Sequence, residues 1–234
     1  MTLPNFKNDL KSIIESSIKE TITAKTSDIL NEAYFAQVKT FPQVSESLSD
    51  KTKISHTELY KGYVESLNKV SSELDSVSKD GDSNHSIWRN TKVDEIYNLN
   101  ATWLHELYFA NCFDPQSEVY MDSKAFMRLQ RDWGSFEEWQ KDFLATGIVS
   151  REGWVVCGYN VFLKKFVNTL IDLHSTNVMV GIIPILVIDM WSHSYFKDYL
   201  KDKKSYLVTM MREINWDIIE DRIEKIIKIE EILK

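Results

Sequence analysis

The chain has five histidines, and their neighbourhoods separate them. His85 sits in a polar stretch, whereas His56, His105, His174 and His193 lie in or beside apolar, aromatic segments. A lone histidine among hydrophobic residues usually satisfies only a core hydrogen bond. Four of them together with an aspartate point instead to coordination. Asp189 ends the apolar run Ile182-Ile183-Pro184-Ile185-Leu186-Val187-Ile188, and His193 follows four residues later. A carboxylate after such a run costs several kcal/mol to bury unless it is paired or bound to a cation. A spacing of four aims both side chains at a common point. It also fits a plainer arrangement, with Asp189 capping the next helix and His193 packed against it. Histidine and carboxylate donors without thiolates suit iron, manganese or zinc, and not a structural zinc site.

Other chemistries lack their residues. His105-Glu106-Leu107-Tyr108-Phe109 starts like a zincin helix but has no second histidine. There is no glycine-rich phosphate loop and no Gly-x-Ser-x-Gly elbow. Cys112 and Cys157 lie in apolar stretches and read as two buried thiols. A net charge of −7 excludes a broad nucleic-acid or anionic-membrane surface, so an anionic substrate needs lysines close to its site. The longest apolar run, Val178 to Ile188, falls short of the about 20 residues that span a bilayer. The first residues carry no basic-then-apolar leader pattern. The expectation is a soluble, cytoplasmic protein with no nucleic-acid or membrane partner.

The elements that must position these residues follow from periodicity and turn chemistry. Residues 4–39 read as helix, with Phe6, Leu10, Ile13, Ile14 and Ile18 at three- and four-residue spacing. Phe41-Pro42 ends it, because proline disfavours helix at the residue before it. Ser49 caps a helix from Asp50 to Val77, with Ile54, Leu59, Tyr60, Tyr63, Val64 and Leu67 as its apolar face. Lys79 to Asn84 is a loop, and a further helix runs from Val93 to Phe109. Asn111 to Val119, with Pro115, marks an internal boundary. Short helices follow at Ser123–Trp133 and Ser135–Thr146. Gly153–Tyr159 and Val161–Ile171 are strand-like, with Gly158-Tyr159-Asn160 as a tight hairpin, and Ile182–Ile188 is a third, fully buried strand. Helix resumes at Trp191, breaks near Asp202 and closes as an amphipathic tail from Asp217. The fold class is α+β: an N-terminal helical-hairpin domain, then a domain with a small three-stranded antiparallel sheet flanked by helices. The divisions are 1–40 as a helical extension, 41–113 as the hairpin and 114–234 as the α/β part.

Several of these segments resemble the iron/manganese superoxide dismutases. Asp189-Met190-Trp191-Ser192-His193-Ser194-Tyr195 is similar to that family's Asp-x-Trp-Glu-His-Ala-Tyr. Trp103 to Phe109 resembles its ligand-bearing second helix. Trp133-Gly134-Ser135-Phe136-Glu137-Glu138-Trp139 matches its Phe-Gly-Ser-Phe-Glu-x-Phe segment, Gly153-Trp154 its strand opening, and Asn215-Trp216 its closing helix. His56-Thr57-Glu58-Leu59-Tyr60-Lys61-Gly62-Tyr63-Val64 fits a branch that reads His-x-x-Leu-Tyr-x-Gly-Tyr-Val.

The resemblance implies one iron or manganese ion per chain, held by His56, His105, Asp189 and His193. It implies superoxide as substrate, disproportionated to dioxygen and hydrogen peroxide. His174 resembles the residue that hydrogen-bonds metal-bound solvent, and Tyr63 the tyrosine guarding the substrate channel. Trp103, Trp154 and Trp191 would form a dry aromatic shell. Three departures touch surfaces. Ser192 replaces a glutamate that reaches the partner subunit, Phe196 replaces a tyrosine, and Lys203 stands where many members have arginine. These, and the added residues 1–40, leave a homodimer with an altered interface, or an assembly partner docked on that extension. They also leave a rival reading, a non-catalytic subunit with this fold in a larger assembly.

Overall fold

The computed structural model describes residues 34–81, 84–112 and 115–232. Within them are seven helices and one sheet, in the order helix, helix, helix, helix, three strands, three helices. Helices α1 (Asp50–Leu74) and α2 (Ile87–Cys112) form the N-terminal hairpin. Helix α1 starts where expected, because the Ser49 hydroxyl accepts the Thr52 N–H. It buries His56, Tyr60, Val64 and Leu67 on one face, whereas Ile54 turns to solvent. Helix α2 begins six residues earlier than its apolar pattern suggests, at a Ser86 side chain that accepts the Arg89 N–H.

Two expectations fail for stated reasons. Residues 34–39 are extended rather than helical, and the remainder of the expected first helix lies outside the described residues. Their backbone groups bond to α1 side chains instead of to one another. The Tyr34 N–H donates to Ser71 Oγ at 2.5 Å, the Ala36 N–H to Asn68 Oδ1 at 2.7 Å, and the Lys39 N–H to Tyr60 Oη at 3.0 Å. The hairpin turn is Val161–Lys164 and not Gly158-Tyr159-Asn160. Asn160 Oδ1 accepts the N–H groups of Phe162 and Leu163, a side-chain-built turn that leaves Gly158 and Tyr159 free to pair.

Helices α3 (Lys124–Trp133) and α4 (Phe136–Val149) are capped by Ser123 and Ser135, and Gly134 at φ 88° stops α3 in the left-handed region that favours glycine. The sheet then forms from β1 (Gly153–Asn160), β2 (Lys165–Asp172) and β3 (Ile182–Asp189), in the order β2-β1-β3 with both pairings antiparallel. Every residue of central β1 is buried, consistent with its apolar sequence up to the closing Asn160. Helices α5 (Ser192–Tyr199), α6 (Lys203–Arg212) and α7 (Trp216–Ile232) complete the fold. Cys112 and Cys157 are both buried free thiols.

The hairpin is joined to the sheet by a polar clip. Arg222 of α7 donates to Asn111 Oδ1 at 2.9 Å and to the Ile185 carbonyl, while Asn111 Oδ1 also accepts the Val187 N–H. This fixes α2 against β3, the elements that carry His105 and Asp189. Pairing of β1 with β3 sets Trp154 opposite Asp189. Gly153, one residue earlier, permits the close pairing of β1 with β2 on the other side. A Cβ there would lie 2.0 Å from the Ile171 carbonyl oxygen, a clash with backbone that no rotamer relieves. Gly153→Ala is therefore expected to destabilise the protein by about 3 kcal/mol, the upper end for overpacking, read as a lowered midpoint in thermal or urea unfolding.

Candidate metal centre

Four side chains from four elements meet at the junction of hairpin and sheet. His56 comes from the first third of α1, His105 from the last third of α2, Asp189 from the end of β3 and His193 from the first turn of α5. One ligating atom from each lies within 4.8 Å of the others. The shared point is Asp189 Oδ2, which is 3.0 Å from His56 Nε2, 3.2 Å from His193 Nε2 and 3.8 Å from His105 Nε2. Asp189, His56 and His105 are fully enclosed, and the His193 side chain keeps 28% of its surface exposed.

Each donor is held from behind. His105 Nδ1 donates to the Ala101 carbonyl at 2.6 Å, one turn back on its own helix. That bond puts the proton on Nδ1 and leaves Nε2 with a lone pair, buried and without a hydrogen-bond partner. The other carboxylate oxygen, Asp189 Oδ1, accepts the Trp191 N–H at 2.8 Å, and the Asp189 carbonyl accepts Tyr206 and Ser194 hydroxyls. Oδ2 is thereby turned to the imidazoles.

The electrostatics agree. Burial pushes the His56 imidazole below its usual range, although Asp189 pulls it up. His105 is pushed well below, by burial first and by His56 second. Burial alone would raise the Asp189 carboxyl, but His193 beside it and hydrogen bonds from His193 and His56 hold it well below the ordinary carboxylate range. An ionised carboxylate thus faces two neutral imidazoles with no proton available from His105 Nε2. A cation fits that donor set, since it satisfies the orphaned nitrogen and the buried charge together.

His174 lies beside this cluster and outside it. Its ring is 6.0 Å from that of His105 and stacks on Trp191 at 5.0 Å. The Trp154 indole N–H donates to His174 Nδ1 at 3.0 Å, so the neutral ring carries its proton on Nε2, which donates to Tyr63 Oη at 3.0 Å. Burial lowers the His174 pKa to about 4. The Tyr63 phenol is raised by burial first and by Tyr97 second, so it stays protonated.

The expected aromatic shell is confirmed for two tryptophans and corrected for the third. Trp154 meets the His105 ring edge-on at 4.9 Å, and Trp191 stacks on His193 at 5.7 Å. Trp103 instead points outward from α2 and is 50% exposed. It is two residues from His105, about 200° away around the helix. Some contributors were not singled out from sequence. Tyr97 packs 4.7 Å from the His174 ring, and Asn100 donates to the His174 carbonyl. Tyr97, Ala101 and His105 recur every four residues, a spacing that places all three on one face. Glu152, also not singled out, accepts the Ser192 N–H at 2.8 Å at the start of α5. Lys203 donates to the Arg151 carbonyl at 3.1 Å.

Comparison with known proteins gives this geometry a lineage. Residues 122–222 match the C-terminal domain of iron/manganese superoxide dismutases. Over 198 residues the chain is 31% identical to an iron superoxide dismutase of Aquifex aeolicus, covering 82% of this chain and 92% of the relative. An iron superoxide dismutase of Cupriavidus metallidurans is 32% identical over 181 residues, covering 75% and 88%. A manganese superoxide dismutase of Halobacterium salinarum is 27% identical over 189 residues, covering 80% and 90%. Similarity at that level along nine-tenths of the Aquifex protein places this chain in the iron/manganese superoxide dismutase family.

Proposed function

We propose that the chain disproportionates superoxide to dioxygen and hydrogen peroxide at one iron or manganese ion, held by His56, His105, Asp189 and His193. The observation that carries this reading is the convergence of three Nε2 atoms on one buried carboxylate oxygen, with the His105 nitrogen otherwise unpartnered. When bound, the metal supplies the one-electron couple by which one superoxide is oxidised and the next reduced. The side chains do the rest. His56 and His105, kept neutral by burial, offer lone pairs and leave the centre net positive toward an anion. Trp154 and Trp191 exclude water from the flank of the site.

Peroxide formation needs two protons, and Tyr63 with His174 is the route we assign to them. His174 is enclosed, Tyr63 is part-exposed, and the pair is joined by one hydrogen bond. Because His174 Nε2 donates to Tyr63 Oη, the phenolic proton points elsewhere, with the Tyr97 side chain as a further hydrogen-bond partner beside it. Trp154 is a positioning residue here: its N–H selects the tautomer. Nothing in the site favours the non-catalytic reading, which gives no reason for enclosing a carboxylate among imidazoles.

Metal analysis of the purified protein, followed by a superoxide-consumption assay, tests the proposal. Asp189→Asn removes the charge while keeping the shape. Its metal content is expected to drop from about one ion per chain to near none, with activity lost alongside. A variant that keeps both would end the assignment.

The tautomer argument makes a separate prediction. Trp154→Phe keeps an aromatic ring but not the donor, so the metal stays and turnover falls about tenfold. The pH profile of turnover should shift as well, which loss of packing alone would not cause.

Acid stability of the metal-free protein follows from linkage. A histidine whose folded pKa lies below its unfolded value contributes stability that is fully present above about pH 6.5, where both forms are neutral. As pH falls the unfolded chain binds more protons, and the contribution is lost toward the folded value, about 4 for His174. Unfolding free energy should therefore be level above pH ~6.5 and decline below it. A rise on acidification would show that these imidazoles are not held neutral.

A further inference from the structure

Helix α2 is apolar on two opposite faces. One face, with Ala101, Leu104 and Tyr108, is buried against the core. The other carries Ile96, Leu99 and Trp103, spaced three and four apart and all about half exposed. A helix with hydrocarbon on both sides is ordinarily covered on both sides. Beside that outer stripe runs the extended segment 34–39, which leaves Phe35 79% exposed. Strap and helix together enclose an open groove of about 290 Å³. Its wall includes Thr102, only 5% exposed, whose hydroxyl has no hydrogen-bond partner among the described residues.

We propose that residues 4–33 of the same chain dock on this groove, laying Phe6, Leu10, Ile13, Ile14 and Ile18 against Phe35, Ile96, Leu99 and Trp103. The tether selects this occupant over a second copy, and the pattern, length and hydroxyls of the segment fit it to the groove. The segment enters the described fold at Tyr34, which itself lines the groove, so the docking partner is already tethered at the site. Such a tether raises the local concentration to about the millimolar range, against which a free copy competes poorly. The segment's apolar stripe has the same three- and four-residue period as the receiving stripe. As helix, residues 6–18 span about 18 Å, enough to cover the roughly 10 Å from Ile96 to Trp103. The intervening residues 19–33 reach far beyond the distance needed to turn back, at about 3.3 Å each when extended. Serines and threonines of the segment, among them Ser12, Ser16 and Ser17, offer partners for the Thr102 hydroxyl. The inference does not depend on what the metal centre does.

Radical footprinting of the full chain tests it, with oxidation of Trp103 read by peptide mass spectrometry. The comparison is the full-length variant Ile14→Asp/Ile18→Asp. Trp103 is expected to oxidise several-fold more slowly in the parent than in the variant, at concentrations where light scattering gives both the same mass. A reciprocal change, Leu99→Asp, should speed tryptic cleavage at Lys11 and Lys19 several-fold while circular dichroism stays unchanged. Equal oxidation in parent and variant would overturn the proposal. So would protection that grows with protein concentration as the mass doubles, because the cover is then a second copy.

Discussion

A carboxylate with no access to water sets the terms for this structure. Asp189 ends a strand whose preceding residues are hydrocarbon, and its side chain is fully enclosed. An ionised group there is tolerated only with strong partners, since removing a charge from water costs several kcal/mol even after relaxation. The partners it has are imidazoles, two of which burial holds neutral. Neutral rings satisfy hydrogen-bond geometry but leave the charge in place. The fold has therefore gathered a donor set whose balance is completed by a cation, and the family to which the chain belongs is named for two such ions.

The remainder of the architecture can be read as what keeps those donors in register. Two come from the helical hairpin and two from the sheet and the helix after it. Neither half holds the cluster alone. The clip formed by Asn111 and Arg222 spans α2, β3 and α7, so the relative height of His105 and Asp189 is fixed by hydrogen bonds rather than by packing alone. The close approach at Gly153 holds β1 tightly against β2, while the separate pairing of β1 with β3 brings Trp154 alongside Asp189. Trp154 then touches both His105 and His174, and so links the donor cluster to the proposed proton route.

Much of this was legible in the sequence, and the failures have physical causes. The cap at Ser49 was readable because a hydroxyl ahead of a periodic stretch has one good use, and the starts of the next two helices fell within a residue of Ser123 and Ser135. The convergence of the four donors was legible from short motifs, each anchored by a neighbouring aromatic. Residues 34–39 misled because helical periodicity says nothing about side chains elsewhere that bid for the backbone, here Ser71, Asn68 and Tyr60. The hairpin misled because Gly158-Tyr159-Asn160 contains turn-forming residues, yet only the Asn160 side chain builds the turn. Trp103 misled because α2 carries apolar residues on two faces, and hydropathy cannot tell which of them meets the site.

The proposed action of an acidic protein on an anion looks self-defeating, and distance resolves it. The net charge of −7 is spread over the whole chain. Charges on the solvent-exposed surface are screened over about 8 Å at physiological ionic strength, whereas those in a low-dielectric interior are screened far less. A di- or trivalent cation opposite a single carboxylate and three uncharged nitrogens leaves a local surplus of at least one positive charge. Lys197, close enough to depress His56 further, and Lys203, close enough to sense Asp189, add to it. An anion that has come within a Debye length of the centre meets that local field more than the distant total. Repulsion at long range slows the arrival of such an anion without reversing its preference for the site, and this is why the sign of the whole chain says little about the sign of the substrate proposed for it.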